Sequence, residues 1–87
     1  MKYRLEYASS VEKELRKIPK KDQSRIAKAL DLLMQDPYGE ILQIKKLKGS
    51  DRAFRIRVGD YRILYEIYRE HLLVLVIAVR ARKDAYR

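Results

Sequence analysis

Hydrophobic positions along the chain fall into blocks of different period, and each block predicts an element. Residues Lys2 to Tyr7 alternate, with Tyr3, Leu5 and Tyr7 on one side and Lys2, Arg4 and Glu6 on the other. That is the pattern of a half-buried strand. Ser9 followed three residues later by Glu12 reads as a capping box, in which each side chain satisfies the other's free backbone N–H. A helix is therefore expected to begin there, with Val11, Leu15 and Ile18 as its apolar stripe. Pro19 interrupts the stripe, because it lacks an N–H and restrains Ile18 away from the helical region. A second helix is predicted from Lys20 or Lys21 to about Gln35. Ile26, Leu30, Leu33 and Met34 form its buried face, and Ala27 and Ala29 allow close approach. Asp36-Pro37-Tyr38-Gly39 ends it in a loop.

The period then changes. Ile41 to Gly49 mixes apolar and basic residues without a clear repeat, which fits an irregular connection or a short edge strand. Ala53 to Val58 alternates strictly, with Phe54, Ile56 and Val58 on one face and Arg55 and Arg57 on the other. Gly59-Asp60 suits a two-residue hairpin turn of type II′, with glycine first. Tyr61 to Tyr68 is the returning strand, Arg69-Glu70 a turn, and Leu72 to Val79 a further strand apolar enough to be buried on both faces. Arg80 to Arg87 is a basic, polar tail. The order β-α-α-β-β-β predicts an α+β fold, with a helical hairpin packed on one face of a small, mostly antiparallel sheet. The other face is left at least partly open.

Composition narrows the possibilities. The 87 residues suit one domain spanning 1–87, and an apolar content of 47% argues against disorder. The absence of cysteine excludes disulfides, thiolate metal sites and a cysteine nucleophile, and fits a reducing cytoplasm. The N-terminal residues are too polar for a signal peptide. The longest apolar run, Leu72 to Val79, is far short of the ~20 residues that cross a bilayer. A cytoplasmic protein with no membrane contact is expected. His71 is the only histidine, which excludes a two-histidine ribonuclease mechanism, and its place near a turn suits plain exposure. Ser9 and Ser10 read as cap residues with no triad in view. No metal-ligand cluster is evident, and no cofactor is expected.

Charge changes the picture most. Twenty-one Lys and Arg against twelve Asp and Glu give a net charge of +9, which favours a polyanionic partner. The hairpin concentrates this charge. With Gly59 and Asp60 as the loop, Val58 lies opposite Tyr61, Arg57 opposite Arg62, Ile56 opposite Ile63 and Arg55 opposite Leu64. Phe54, Ile56, Val58, Tyr61, Ile63 and Tyr65 then share the core side, and Arg55, Arg57 and Arg62 lie together on the other. Like charges directly across an antiparallel pair destabilise it. A bound phosphate backbone gives a reason for them, since guanidinium groups offer forked donors to phosphate oxygens. The competing reading is that they are solvated residues guarding an open sheet face against aggregation. Lysine would serve that purpose equally well.

Further basic residues flank the hairpin: Lys45, Lys46 and Lys48 before it, and Arg80, Arg82, Lys83 and Arg87 after the last strand. The exit of that strand is placed to bring Arg82 and Tyr86 toward the arginine face, where a tyrosine can stack a base or orient a hydroxyl. Glu66 shares a face with Arg62 and is a candidate partner for it.

Three stretches carry a family resemblance: KKLKG at Lys45–Gly49, FRIRVGDYRILYEI at Phe54–Ile67 and VRARKDAY at Val79–Tyr86. With them the chain resembles, over nearly its whole length, the RelE/ParE superfamily of bacterial and archaeal type II toxins. RelE-like members are ribosome-dependent endoribonucleases that cut mRNA, and ParE-like members poison DNA gyrase. The resemblance implies a RelB-like antitoxin that wraps the toxin in a heteromeric complex. By it, Arg55 and Arg57 match two strand positions that are usually lysine in RelE, Arg62 the arginine after the turn, Arg82 the arginine after the last strand, and Tyr86 the C-terminal tyrosine. The full set favours RelE over ParE.

The reaction so implied is metal-independent transesterification, in which a ribose 2′-OH attacks the adjacent phosphate. Arg62 and Arg82 would neutralise charge on the phosphorane. Arg55 and Arg57 would hold the backbone, and Lys45, Lys46, Lys48, Arg80, Lys83 and Arg87 would contact RNA or ribosome. Two departures from the family stand out. Arginine replaces lysine at positions 55 and 57, and a guanidinium is a poor general base. Ala81 stands where many relatives have histidine. Tyr86 is left as the candidate for proton transfer, with its phenolate favoured by surrounding arginines. A gyrase inhibitor of the ParE kind and a non-catalytic nucleic-acid-binding module are the alternatives.

Overall fold

The computed structural model describes residues 3–36 and 44–81. Strand β1 (Arg4–Tyr7) is followed by helices α1 (Ser9–Arg16) and α2 (Lys20–Gln35). Then come strands β2 (Lys45–Lys46), β3 (Ala53–Val58) and β4 (Tyr61–Tyr68), a 3-10 turn at Arg69–His71, and β5 (Leu73–Ala81). The five strands form one sheet in the order β1-β5-β4-β3-β2. Among the described residues the β1–β5 pair is parallel and the other three pairs are antiparallel. The α+β architecture is the one the periodicities predict, with both helices on one face.

The helix-covered face holds the core. Val11, Ile18, Ile26, Ala29, Leu30 and Leu33 pack against Ile56, Ile63, Tyr65, Ile67, Val74, Val76 and Val79. Burying an aliphatic side chain of this size stabilises the fold by roughly 1.5–3 kcal/mol. Tyr65 is fully buried and stacks on Phe54, with ring centroids 5.8 Å apart. Pro19 separates the helices and is the N-cap of α2. Gln23 bridges the break: its Nε2 donates to the carbonyls of Leu15 and Ile18, both at 2.8 Å. Leu15 lies in the last turn of α1, where carbonyls lack an intrahelical i+4 donor, and Ile18 lies just beyond the helix end.

Several details depart from the sequence pattern. The capping box does not form: Ala8 is the N-cap, without a side-chain cap bond, and Ser9 is already helical. The cause is the strand before it. The Ala8 N–H donates to the Val76 carbonyl, and its carbonyl accepts from Val11, each at 2.9 Å, so α1 starts directly off β1. Ala27 is exposed, leaving Ala29 as the small residue at the helix–sheet contact. The stretch with no clear period resolves into the two-residue edge strand β2, while Pro37 to Gln43 fall outside the described residues. Leu72 closes the 3-10 turn with φ +47°, so β5 begins one residue later than its apolar run suggests.

The hairpin has the predicted register, with Val58 opposite Tyr61, Arg57 opposite Arg62 and Arg55 opposite Leu64. Gly59 has φ +58° while Asp60 has no positive φ, as a type II′ turn requires. On the other side of β4 the pairing slips. Leu64 faces Ala78 but Tyr65 faces Val76, which leaves Ile77 as an extra residue in a β-bulge. Side chains alternate across a strand, so one extra residue reverses the phase. Before the bulge Val74 and Val76 point into the core. After it Val79 does, and Arg80 is turned to the open face.

Candidate nucleic-acid interface

The bulge completes a row of arginines. Arg57 on β3 pairs with Arg62 on β4, and Arg62 pairs in turn with Arg80 on β5. Two register positions along, on the same face, Lys45 on β2 lies opposite Arg55 on β3. Lys45, Arg55, Arg57 and Arg62 together line a shallow concavity of about 120 Å³ on the open face of the sheet. Among the described residues no acidic side chain lines it. Arg57 and Arg80 are exposed, and Arg55 and Arg62 half-buried. Partial burial of the inner two lowers the local dielectric and strengthens any bond they make to an anion.

Each position follows from the local sequence. Strict alternation in β3 sets Ile56 into the core, and so sets Arg55 and Arg57 outward. The two-residue turn fixes the register that places Arg62 beside Arg57. The sequence pattern places Arg80 only in the flanking set, after the last strand. It is instead the eighth residue of β5, in line with Arg62. The apolar run of β5 gives no phase to read, but the length of β4 is a usable signal. A partner that covers β4 as far as Tyr61 must continue through Arg80 and Ala81.

The other flanking residues divide. Lys46 pairs with Phe54 rather than Arg55, so it faces away from the concavity. Lys48 lies in the turn before β3 and does not line the concavity. Arg82, Lys83, Tyr86 and Arg87 fall outside the described residues. Glu66 shares the open face, and its Oε1 accepts a hydrogen bond from the Tyr68 hydroxyl at 3.0 Å. Arg52 lies over the Tyr68 ring, 4.8 Å from its centroid.

A different set of groups surrounds the same end of the sheet on its helical side. The Tyr61 hydroxyl donates to Asp22 Oδ2 at 3.5 Å. Its pKa is raised, first by desolvation, then by the charge of Asp22 and the hydrogen bond to it, and by Asp60. The Glu14 carboxylate accepts the Val79 backbone N–H at 3.0 Å. His71, in the 3-10 turn, is exposed. Among the described residues no group of three or more His, Asp or Glu is placed to hold a metal ion, and no helix is long and apolar enough to cross a membrane.

A profile of the family described as "ParE toxin of type II toxin-antitoxin system, parDE" matches residues 5–86. The chain belongs to the RelE/ParE toxin superfamily. Its named relatives and structural neighbours lie on the RelE side. It is 28% identical over 88 residues to "Putative toxin RelE1" of Methanocaldococcus jannaschii, covering 100% of this chain and 98% of that one. The "mRNA interferase toxin RelE" of Escherichia coli K12 is 28% identical over 90 residues, covering 99% and 92%. The archaeal RelE–RelB complex of Pyrococcus horikoshii superposes with a TM-score of 0.83 at 28% identity, covering 94% of this chain and 97% of that one. The chain is thus a toxin of a RelBE-type toxin–antitoxin system, and the solved complexes support an antitoxin as its partner.

Proposed function

We propose that this toxin is a ribosome-dependent mRNA endoribonuclease that stops translation in the cytoplasm. The observation that carries the reading is the row Arg57–Arg62–Arg80 with Arg55 and Lys45 beside it. Aligned like charges oppose folding, and an RNA backbone crossing the row turns that opposition into binding. The relatives named as mRNA interferases support the reaction class.

In the proposed step the ribose 2′-oxygen attacks the adjacent phosphorus, and the bond from phosphorus to the 5′-oxygen breaks. The products are a 2′,3′-cyclic phosphate and a 5′-hydroxyl. Arg62 and Arg80 stabilise the negative charge that builds on the phosphorane oxygens, and Arg55, Arg57 and Lys45 hold the flanking phosphates. The resemblance assigns charge stabilisation to Arg82 as well, and the proton of the 2′-hydroxyl to Tyr86. The arginines bind and stabilise phosphate but do not take its proton. Orientation of the message on the ribosome supplies much of the remaining acceleration.

Primer extension on a translated message after induction tests this. New cuts within codons are expected, and Arg62→Ala should reduce their rate by about 10²–10³, as loss of one preorganised donor does elsewhere. The match to the ParE profile gives the second reading its footing. Blocked gyrase supercoiling without message cleavage would decide for that reading.

A further inference from the structure

Strand β5 is paired with β4 from Leu73 to Ala81, but with β1 only from Leu73 to Val76. At Ala8 the chain leaves the sheet and enters α1. Beyond Val76 the β1 side of β5 has no strand among the described residues, and this segment contains both the bulge at Ile77 and Arg80. A bulge leaves a residue unpaired and adds local twist, so a segment held on one side only is prone to fray or slip. A slip of one residue would turn Arg80 away from Arg62.

Glu14 of α1 stands in that gap. Its Oε2 accepts the Val79 N–H at 3.0 Å, and Val79 is only 6% exposed, so losing the carboxylate removes the protein acceptor that holds this donor in place. The direction of the bond also fixes the ladder. The Val79 N–H points away from β4, so Ile63 and Val79 form a non-hydrogen-bonded pair, and Arg62 and Arg80 the pair that exchanges backbone bonds. The carboxylate takes the place of the carbonyl that a longer β1 would have offered, and a charged acceptor makes the stronger bond.

We infer that Glu14 is a positioning residue for the arginine row, acting through the Val79 N–H to hold Arg80 in register with Arg62. This rests on the RNA-cleaving reading above. Glu14 itself touches no substrate; it acts through Arg80.

The test uses the full chain and a single-stranded RNA oligonucleotide with methylated 2′-oxygens, which binds without being cut. Glu14→Ala should weaken binding about tenfold, and Glu14→Gln, which keeps an acceptor at the same reach, by no more than about twofold. Glu14→Asp keeps the charge but not the reach, and should behave like alanine; it also serves if the alanine variant fails to fold. Arg80→Ala should weaken binding, and adding Glu14→Ala to it should weaken binding no further. Amide exchange should accelerate at Val79 in the Glu14→Ala and Glu14→Asp proteins relative to amides in α2. Equal losses from Glu14→Ala with and without Arg80, or unchanged exchange at Val79, would overturn the inference. If the unaltered chain does not bind RNA, or Arg80→Ala has no effect, the RNA reading falls and the role of Glu14 with it. Exchange at Val79 reports the hydrogen bond in either case, so the two failures are told apart.

Discussion

Replacing Arg57 with threonine should make the protein more stable and a poorer ligand for RNA. Arg57 is exposed at the end of the arginine row and lies directly opposite Arg62. Like charges so placed cost about 0.2–1 kcal/mol, and exposure puts this pair near the middle of that range, at ~0.5 kcal/mol. Threonine keeps the strand preference, so little is lost in exchange. For a chain of this size ~0.5 kcal/mol raises Tm by roughly 2–4 °C. The origin of the gain is electrostatic, and salt separates it from a packing effect. The screening length is about 30 Å at 0.01 M salt and about 3 Å at 1 M, so the gain should be clear at the first and vanish at the second. Thermal unfolding at both concentrations measures it. RNA titrations on the same protein should show a salt dependence shallower by about 0.7 in the log–log slope, one phosphate contact fewer. An Arg57→Thr protein no more stable than its parent at low salt, or equally favoured at 1 M, would refute the claim that the row is held against its own repulsion.

Three other outcomes are expected. Deleting Ile77 removes the bulge and lets Ala78 follow Val76 in regular alternation, so Arg80 stays opposite Arg62; circular dichroism should show the fold retained, and loss of the fold would mean that Ile77 is not the extra residue. Gly59→Ala places a Cβ 3.6 Å from Arg25 Nη1, an ordinary contact, so only the strain of φ +58° remains. That is about 1–2 kcal/mol in a urea unfolding curve, and a neutral result would mean the turn is not type II′. The raised pKa of Tyr61 makes the folded state hold its proton more tightly than the unfolded state. Stability from this group is complete below the unfolded value of about 10 and is lost as pH rises through that value toward the folded one. Tyr61→Phe should flatten that decline, and an unchanged slope above pH ~10 would count against the Asp22 contact.

How far the fold was readable depended on whether a residue's face could be counted. Alternation in Ala53–Val58 and Tyr61–Tyr68, joined by a two-residue turn, left one register, and the structure has it. Helix α2 and the break at Pro19 were likewise fixed by period and by proline chemistry. Leu72–Val79 was different. A strand apolar on both faces carries no phase, so neither the bulge at Ile77 nor the membership of Arg80 in the row could be seen. The false capping box at Ser9 and Glu12 has a related cause. Its residues are right for a cap, but the tie between Ala8 and Val76 is tertiary and moved the helix start by one residue. Glu14 has no sequence signal, because one carboxylate on a helix carries no local mark of the strand edge it meets.

The position of β5 bears on how the chain is made. Strand β5, which joins β1 to β4 in the sheet, is the last strand among the described residues, and Arg4 finds its partner only when Leu73 arrives. During synthesis a domain's early elements emerge first and wait for late partners. Helices α1 and α2 therefore have no complete sheet to cover until β5 has left the exit tunnel, and Arg80 joins Arg57 and Arg62 last of all. A chain cut short before Leu73 has neither the core nor the row. An interrupted message therefore yields a polypeptide without the folded toxin domain.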